Sequence, residues 1–472
     1  MKRFLQISAL LLLAALCGCE PKERAEWSPD GSRAAVLAEQ RLHFTDMQGG
    51  ISEALADRDE GPGRFLVDAF DWLPDSSGLV IHRVRIAPKW EDLAPLLPTV
   101  EAARVEALAA RVPELLRVAV TLYGDADRAD QLLGKLAPGE TLALTNALRL
   151  ALGKDAASVR AALADAPEAL ASLDAGEKAE LGFILHEMVV MRPDSGKGSE
   201  VLSRGLRGVQ SLRVSPKHPV VACAFETGVA NRYDLVVLSL ESAAPLVVSS
   251  GITRAFDWTP DGQSLVFMSS ISEGSGGLVE IERRRVLDEE GRLGDSLPGD
   301  EGDGELAYAI VAFAPRLVVL PNGEILFASH PADLPAGADD LGENPRLYRL
   351  PANGGAPIAV PTQEGALPMD LGYFAPSPDG RRLAVVESGT DAVAVIDLES
   401  GKSELVSPPH PGWKSRLMPS WRNADEFSFA TGDEATGRVR WMSWKNGETR
   451  DLSENWPEQI TKGWMESKNT TP

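Results

Sequence analysis

A short turn phrase recurs along the chain and constrains its fold more than any other feature. All copies but the last have an apolar strand end and a turn proline, followed in most copies by Asp or Asn and Gly. Proline presets the first corner of a turn, Asp or Asn bonds back to the backbone, and Gly accepts the positive φ that returns the chain to a strand. The copies are Trp27–Gly31, Trp72–Ser76, Val214–His218, Trp258–Gly262, Leu320–Gly323, Pro376–Gly380 and, with Trp421 in place of the proline, Pro419–Asn423.

The segments after these turns have the composition of β-strands. The copy at Pro376–Gly380 is followed by apolar runs at 383–386 and 393–397, a turn at 399–402 and a further strand at 403–406. Apolar runs of this length, separated by turn residues, indicate strands joined by hairpins. Each unit therefore has four strands, as does one blade of a β-propeller.

The spacing of the copies tests this interpretation. Measured on the proline, or on Trp421 in the last copy, the steps are 45, 142, 44, 61, 57 and 43 residues. A four-stranded blade needs about 40–45 residues. Three steps fit directly, and two fit one blade with a longer loop. The step of 142 residues predicts an inserted domain in the second blade.

The insertion is predicted to be helical and to occupy residues 88–186. The β pattern of the second blade stops near Pro88 and resumes at 188–191 and 200–202. The segment between is rich in Ala and Leu, with apolar residues at helical spacing after Val105. Pro113 is expected in the first turn of a second helix, and Gly153 is expected to separate two later helices.

The turns, strand lengths and period resemble those of the TolB-type or WD40-like β-propeller family. The resemblance covers most of the chain outside 1–24 and 88–186, and it implies an all-β fold with seven blades, six or eight being the alternatives. The repeats then give the boundaries of the first blade and half of the second as 25–87, of the helical insertion as 88–186, of the remaining propeller as 187–456 and of the C-terminal tail as 457–472; the N-terminal residues, taken next, are expected to form a signal peptide at 1–18 and a lipidated linker at 19–24.

The N-terminus resembles the signal peptide of a bacterial lipoprotein. Lys2 and Arg3 precede an apolar run at 4–16, which is too short to span a bilayer and fits a secretory signal. The run ends in Leu16-Cys17-Gly18-Cys19, which is similar to the lipobox of that family. The resemblance implies that Cys19 becomes the mature N-terminus and carries fatty acyl chains such as palmitate. Because Glu20 rather than Asp follows it, the implied location is the outer membrane, facing the periplasm or the cell surface.

Charge and cysteine content exclude several classes of protein. The formal net charge is −22, and a general nucleic-acid binder would need a basic face instead. Removal of Cys17 with the signal and acylation of Cys19 would leave Cys223 alone, so the mature chain could form no internal disulfide. The lipid at Cys19, and not the acidic surface, is the expected link to the membrane.

No catalytic constellation, cofactor motif or metal-ligand spacing stands out. The repeated Asp30, Asp75, Asp261 and Asp379 are interpreted as turn residues, and no two of the six histidines are spaced as metal ligands. Trp456 and Trp464 lie in a polar tail and are expected either to make an exposed contact or to dock that tail.

Two classes of function remain. The first is a lipid-anchored scaffold of the cell envelope that binds a protein partner, as members of the resembled family commonly do. The second uses the central channel, either as an enzyme that acts as a hydrolase or lyase on envelope polysaccharide or peptide, or as a sensor of a small ligand. The absence of local catalytic motifs favours the scaffold.

Overall fold

Antiparallel β-strands make up most of the protein in the computed structural model. The structure describes residues 24–38, 40–55, 63–121, 136–166, 170, 182–193, 199–229, 231–241, 245–271, 277–300, 302–311, 316–330, 346–360, 369–387, 392–406, 414–415, 418–433, 438–458 and 460–461. In that part of the chain the strands form six hydrogen-bonded sheets. The strands, grouped by sheet, are β1 (Arg24–Trp27), β2 (Ala34–Ala38) and β3 (Arg41–Thr45); β4 (Arg64–Trp72), β5 (Leu79–Ala87), β6 (Phe183–Met191) and β7 (Glu200–Gly205); β8 (Val209–Val214), β9 (Val220–Glu226), β10 (Tyr233–Ser239), β11 (Pro245–Trp258), β12 (Ser264–Ser270), β13 (Gly277–Arg285) and β14 (Gly304–Val311); β15 (Leu317–Val319), β16 (Ile325–Ser329), β17 (Arg346–Leu350) and β18 (Ile358–Ala359); β19 (Met369–Pro376), β20 (Arg382–Glu387), β21 (Val393–Asp397) and β22 (Ser403–Val406); and β23 (Lys414–Ser415), β24 (Ser420–Asn423), β25 (Glu426–Asp433), β26 (Arg438–Lys445) and β27 (Glu448–Asp451).

The third sheet has seven strands because the long strand β11 pairs with two groups of strands, one at each of its ends. Residues 245–252 of β11 pair with β10, and residues 252–258 pair with β12. Gly251 lies at the change of partner with φ of 78°, a conformation that glycine adopts at little cost. The strand therefore ends one group and begins the next without an intervening loop.

The hydrophobic cores lie between successive groups of strands. One core joins Leu37 and Leu42 of the first sheet to Phe70 and Ile81 of the second, and equivalent cores follow along the chain. Sheets that are covered on both faces bury side chains of both orientations, and every residue of β2 is accordingly buried. The prediction of a mainly β protein built from antiparallel sheets is confirmed.

The last sheet packs on the first. Trp27 of β1 stacks on Trp441 of β26 with ring centroids 5.5 Å apart, and Trp441 contacts Trp456 at 5.2 Å. The indole Nε1 of Trp456 donates to the Gly49 carbonyl at 3.1 Å. Trp456 is 7% exposed, so this tryptophan docks the C-terminal segment onto the first sheet. Trp464 lies outside the described residues.

The repeated turns lie together on one face of the molecule. The Asp30 backbone N–H donates to Ser76 Oγ of the next turn at 3.1 Å, and Ser215 Oγ donates to the Gly262 carbonyl at 3.1 Å. The Arg422 guanidinium donates to the Gly31 carbonyl at 2.8 Å, which joins the last turn to the first. We call this surface the turn face. We call the opposite surface, where helices follow β5, the helix face.

We call the first strand of each group, which ends at the repeated turn, its inner strand. At three junctions an indole hydrogen bond links the inner strands of neighbouring groups. In each case Nε1 of a tryptophan at the end of the inner strand donates to a carbonyl of the preceding group. These bonds run from Trp72 to Glu26, from Trp258 to Arg213 and from Trp421 to Ala375, at 3.0, 2.9 and 2.7 Å.

The last of these bonds corrects the alignment of the seventh turn. Trp421 occupies the position of Trp72 and Trp258, two residues before the proline position. Asn423 therefore stands where the other copies have proline. The prediction that Trp421 replaces the proline is wrong, because Trp421 is a strand residue whose ring is buried between two sheets.

Helices separate β5 from β6 on the helix face. They are α1 (Trp90–Leu93), a 3₁₀ turn (Ala94–Leu96), α2 (Thr99–Thr121) and α3 (Pro138–Ala162). Pro113 lies inside α2 and does not begin a second helix. Asp155 in α3 has a non-helical backbone and its carboxylate accepts the Ser158 N–H, which places the predicted break two residues beyond Gly153. Among the described helices, none has an apolar stretch long enough to cross a bilayer.

Two predicted boundaries need correction. Residues 183–186, assigned to the helical insertion, belong to β6, which begins at Phe183 and pairs with β5 from Ala87 onward. A short apolar run is compatible with helix or strand, and pairing with β5 decides between them. Arg24, assigned to the linker, already belongs to β1, where it pairs with Leu37.

We expect replacement of Trp456 by Ala to lower the free energy of unfolding by about 3–5 kcal/mol, because it removes a buried indole from the contact between the first and last sheets. Urea unfolding followed by tryptophan fluorescence measures this. Leu405→Ala is the control, since Leu405 is 57% exposed, and its effect should stay within about 0.5 kcal/mol. Equal effects of the two variants would contradict the assigned role of Trp456.

Candidate functional site

Charged side chains converge where the inner strands meet. Glu26, Asp71, Arg213 and Asp257 each precede the last residue of an inner strand, in β1, β4, β8 and β11. The Arg24 guanidinium lies 3.2 Å from the Glu26 carboxylate. We call these residues the inner charge cluster, which consists of Arg24, Glu26, Asp71, Arg213, Asp257 and, just before β15, Arg316. Its members come from five consecutive groups of strands, so only the fold brings them together.

The two aspartates connect neighbouring groups through the backbone. Asp71 accepts the N–H of Trp72 at 2.9 Å and that of Val214, in the next group, at 2.7 Å. Asp257 accepts the N–H of Trp258 at 2.9 Å, and its other oxygen accepts a backbone N–H from the following group. That second bond, from Val319, is 2.9 Å long.

A serine makes the same connection at the junction between the last and first groups. Ser420 Oγ accepts the Trp27 N–H at 3.1 Å, in the position that Asp71 and Asp257 hold elsewhere. The Trp27 indole donates to Ser428 Oγ at 2.9 Å. The junction between the chain ends thus repeats the hydrogen-bonding pattern of the other junctions.

Two arginines of the cluster, Arg24 and Arg316, lie against aromatic rings of the next group. The Arg24 guanidinium carbon is 4.6 Å from the centroid of Phe70, and that of Arg316 is 5.1 Å from the centroid of Phe374. Arg24 also donates to the Phe70 carbonyl. A guanidinium over a ring face gains electrostatic and packing energy, so these arginines also contribute to contacts between groups.

Burial raises the pKa of both aspartates. Loss of hydration raises the pKa of Asp71 to about 6, against the opposing effect of the Arg213 charge. Burial also raises the pKa of Asp257, again opposed by Arg213. Both oxygens of each carboxylate already accept a backbone N–H. With its pKa raised to about 6, Asp71 can therefore bind or release a proton in that pH range while it joins two inner strands.

The aspartates of the repeated turns have a different environment. Asp30, Asp75, Asp261 and Asp379 are exposed and lie in separate turns. A hydrogen bond from Ser28 lowers the pKa of Asp30 to about 2, and hydrogen bonds from Ser77 lower the pKa of Asp75. These contacts agree with their interpretation as turn residues and keep the carboxylates ionised on the turn face.

The cysteines differ in position. Cys19, the predicted lipidation site, lies outside the described residues. Cys223 is fully buried in β9, and burial raises the pKa of its thiol. A thiol in that environment is unreactive.

The fold brings together two histidines that sequence spacing kept apart. His82 Nε2 and His186 Nδ1 are 3.1 Å apart, and the two ring planes differ by 12°. The Asp68 carboxylate lies 4.0 Å from His82 Nδ1. His82 and His186 are 104 positions apart in the sequence. Their contact can be expected only if 183–186 is a strand that pairs with β5. In the part of the chain that the structure describes, no three His, Cys, Asp or Glu side chains are grouped closely enough to hold a metal ion.

A buried ion cluster lies beside these histidines, near the point where the helices leave the second sheet. Glu187 of β6 is fully buried and accepts hydrogen bonds from Arg83 and Arg204 at 2.9 Å and from Arg85 at 3.3 Å. Arg83 and Arg85 also face the ring of Phe65, at 4.1 and 4.3 Å. Buried groups of this kind fix local geometry, because removing one partner leaves another charge uncompensated.

The helices are fixed to the sheets by polar contacts. The Asn146 side chain accepts the Ile184 N–H at 2.8 Å and donates to the Ile184 carbonyl at 2.7 Å. The Glu101 carboxylate accepts the Leu206 N–H at 2.7 Å. Asn146 is 2% exposed, and a buried residue with both bonds satisfied strongly favours one geometry. The helices therefore have a defined position on the second sheet.

Comparison with known proteins gives similarity to solved structures alone. No family model matches the sequence, and no curated protein matches it. TolB from Acinetobacter baumannii is 18% identical over 56% of this chain and 57% of its own, with a TM-score of 0.37. The Cps50 (Swd1) β-propeller domain of Myceliophteria thermophila is 10% identical over 91% and 98%, with a TM-score of 0.45.

A puromycin-hydrolyzing peptidase of Mycobacterium tuberculosis is 12% identical over 93% of this chain and 55% of its own, with a TM-score of 0.49. The chain thus spans about half the length of TolB and of this peptidase. The solved structures that resemble it include both a protein named TolB and hydrolases.

We expect Asp71→Asn to flatten the dependence of stability on pH. Because the pKa of Asp71 is higher in the folded protein, the folded state binds more protons, and its free energy of unfolding falls as the pH rises from about 4 to about 6. With a pKa of about 6, this decrease amounts to at most about 3 kcal/mol. The substitution should remove it. Urea unfolding at several pH values measures the slope.

Asp30→Asn is the matched control for that measurement. The pKa of Asp30 is lowered to about 2, so its contribution is present above the unfolded pKa and is lost only as the pH falls toward about 2. Between about pH 4 and pH 6 this variant should keep the wild-type slope. An Asp71→Asn protein with an unchanged slope would refute the proposed titration.

Proposed function

We propose that the protein is a lipid-anchored scaffold of the bacterial cell envelope that binds a protein partner through the turn face of a seven-bladed β-propeller. One observation carries the proposal: neighbouring turns are hydrogen-bonded to one another, from Asp30 to Ser76 and from Arg422 back to Gly31. A surface that is already ordered loses little conformational entropy on binding.

Seven blades are supported by the way the strands are shared. β11 ends one blade and begins the next, so the seven-stranded sheet supplies the third and fourth blades. In the last sheet both β23 and β24 pair with β25 and together form the inner position. The first blade has three strands and a bridge from Thr45 to Ile51. In this arrangement the helices of 88–182 are an insertion within the second blade.

The charge of the turn face indicates the kind of partner. Asp30 and Asp75 are exposed there with lowered pKa values. Glu399, in the turn before β22, and Glu448, at the start of β27, are exposed on the same face. The whole chain carries a net charge of −22. Complementary charge speeds association and disfavours wrong partners. We infer that the partner presents a basic surface.

The anchor in this proposal is Cys19, and the expected location is the outer membrane. Several acyl chains on one residue are enough for lasting attachment, whereas one chain gives reversible binding. A propeller held in this way would present its turn face to the periplasm or to the cell surface. The lipobox at Leu16–Cys19 and the apolar run before it support this anchor.

We expect Cys19→Ser to abolish incorporation of a clickable palmitate analogue and to release the protein from the membrane fraction, because the acyl chains have no other attachment point. Cys17→Ser is the matched control, since the proposal removes Cys17 with the signal peptide, and it should retain both the label and the membrane. Labelled Cys19→Ser protein would overturn the assignment.

We expect Glu399→Lys with Glu448→Lys to reduce crosslinking of the partner in intact envelopes, because the two substitutions reverse exposed charges on the turn face. The matched control is Glu114→Lys with Asp165→Lys, which makes the same change of charge at exposed residues on the helix side. Crosslinked products identified by mass spectrometry measure the effect. Loss in the control and retention in the turn-face variant would contradict the assigned surface.

The helices can be removed without breaking the second blade. Ala87 and Phe183 are directly paired at the ends of β5 and β6, so residues 88–182 can be replaced by an Asn-Gly hairpin turn. This variant should keep its crosslinks through the turn face. It serves as a second control for the same experiment.

A second candidate function uses the inner charge cluster. The raised pKa of Asp71, about 6, and the convergence of Arg213 with two carboxylates are features that catalytic and ligand sites share. They favour an enzyme or a small-ligand sensor as the alternative. The hydrogen bonds from Trp72 and Val214 to both Asp71 oxygens weigh against it, since they give the carboxylate a connecting role.

A further inference from the structure

The direction of β1 shows that the chain enters the first sheet, at Arg24, on the side of the molecule where the helices lie. β1 runs toward the turn at 28–32, so the chain reaches Arg24 from the opposite side of the sheet. β5 runs away from its own turn and ends at Ala87, just before α1 begins at Trp90. The turns lie on one face. The chain start and the helices therefore share the helix face.

The tether to the proposed lipid is short. Arg24 lies five positions after Cys19, and a fully extended chain covers at most about 3.5 Å per position, or about 17 Å in all. The nine residues of β4 span about 27 Å at the rise of a β-strand. The tether is therefore shorter than the sheet, and α2, with 23 residues, is about 34 Å long.

We propose that the helix face lies against the membrane and that α2 and α3 rest on phospholipid headgroups. This inference rests on the proposed lipid anchor at Cys19. An acyl chain in the bilayer brings the start of β1 to within about 17 Å of the headgroups. The helices project from the same face, and an α-helix with side chains is about 10 Å thick, so they occupy the space between sheet and membrane.

The charges of the two helices suit this position. α2 carries three Glu and three Arg, and α3 carries two acidic and three basic residues. The net charges of α2 and α3 are therefore 0 and +1, so that anionic headgroups do not repel these two helices, although the whole chain carries a net charge of −22. The turn face, with its exposed carboxylates, would be repelled.

The exposed side of α2 also suits a headgroup surface. Val100 and Val118 are 69% and 39% exposed, and at 3.6 residues per turn they lie five turns apart on the same side. Ala107 and Arg111 are exposed between them on that side, and the Arg111 guanidinium is ion-paired with Glu140 of α3. The three small apolar residues can contact headgroups without inserting deeply, and the ion pair leaves no net charge at Arg111 for anionic lipid to repel.

The test is the depth of single labels in the lipidated full-length protein. Val100→Cys and Val118→Cys carry an environment-sensitive fluorophore on the helix face, and Lys217→Cys and Glu399→Cys carry it on the turn face. Cys223 is fully buried and takes no label. The protein is reconstituted into vesicles of phosphatidylethanolamine and phosphatidylglycerol that contain headgroup spin-labelled lipid.

We expect quenching at Val100 and Val118 to exceed that at Lys217 and Glu399 several-fold. Equal quenching at all four positions, or stronger quenching on the turn face, would overturn the orientation while leaving the anchor intact. Wild-type protein that does not float with the vesicles would overturn the anchor and the orientation together. Flotation and quenching therefore separate failure of this inference from failure of the proposed function.

Discussion

The contacts between neighbouring inner strands hold the molecule together, because each group of strands is too small to form a core alone. Indole N–H groups donate to backbone carbonyls across three junctions, as Trp72 does to Glu26. Carboxylates accept backbone N–H groups across others, as Asp71 does from Val214. The same positions recur along the chain, so one small set of repeated contacts joins most of the neighbouring groups and aligns their turns on one face.

Charge buried where the inner strands meet lowers stability as well as fixing the contacts between them. Burying Asp71 raises its pKa to about 6, which means that its ionised form loses hydration that two backbone N–H groups replace only in part. Arg213 offsets part of this loss for both Asp71 and Asp257. The arrangement gives up some stability at neutral pH and in return fixes how adjacent groups of strands meet.

Local turn chemistry could be predicted from the sequence, and contacts between distant residues could not. The Pro-Asp-Gly turns predicted strands, hairpins and their spacing, because proline and glycine act within a few residues. Trp421 was misplaced by two positions, since its role depends on the Ala375 carbonyl of another sheet. The sequence alone does not indicate the strand at 183–186, because a short apolar run becomes helix or strand according to what it packs against, here β5. It therefore does not indicate the contact between His82 and His186 either.

The junction between the two ends of the chain has a consequence for how the protein folds. Trp27 and Ser428 are 401 residues apart in sequence, and Gly49 and Trp456 are 407 apart. Contacts between such distant residues form slowly, and they cannot form until synthesis of nearly the whole chain is complete. Until then the apolar side chains of the first strand, such as Trp27, remain uncovered. A chain truncated before Trp441 would leave these side chains available for aggregation.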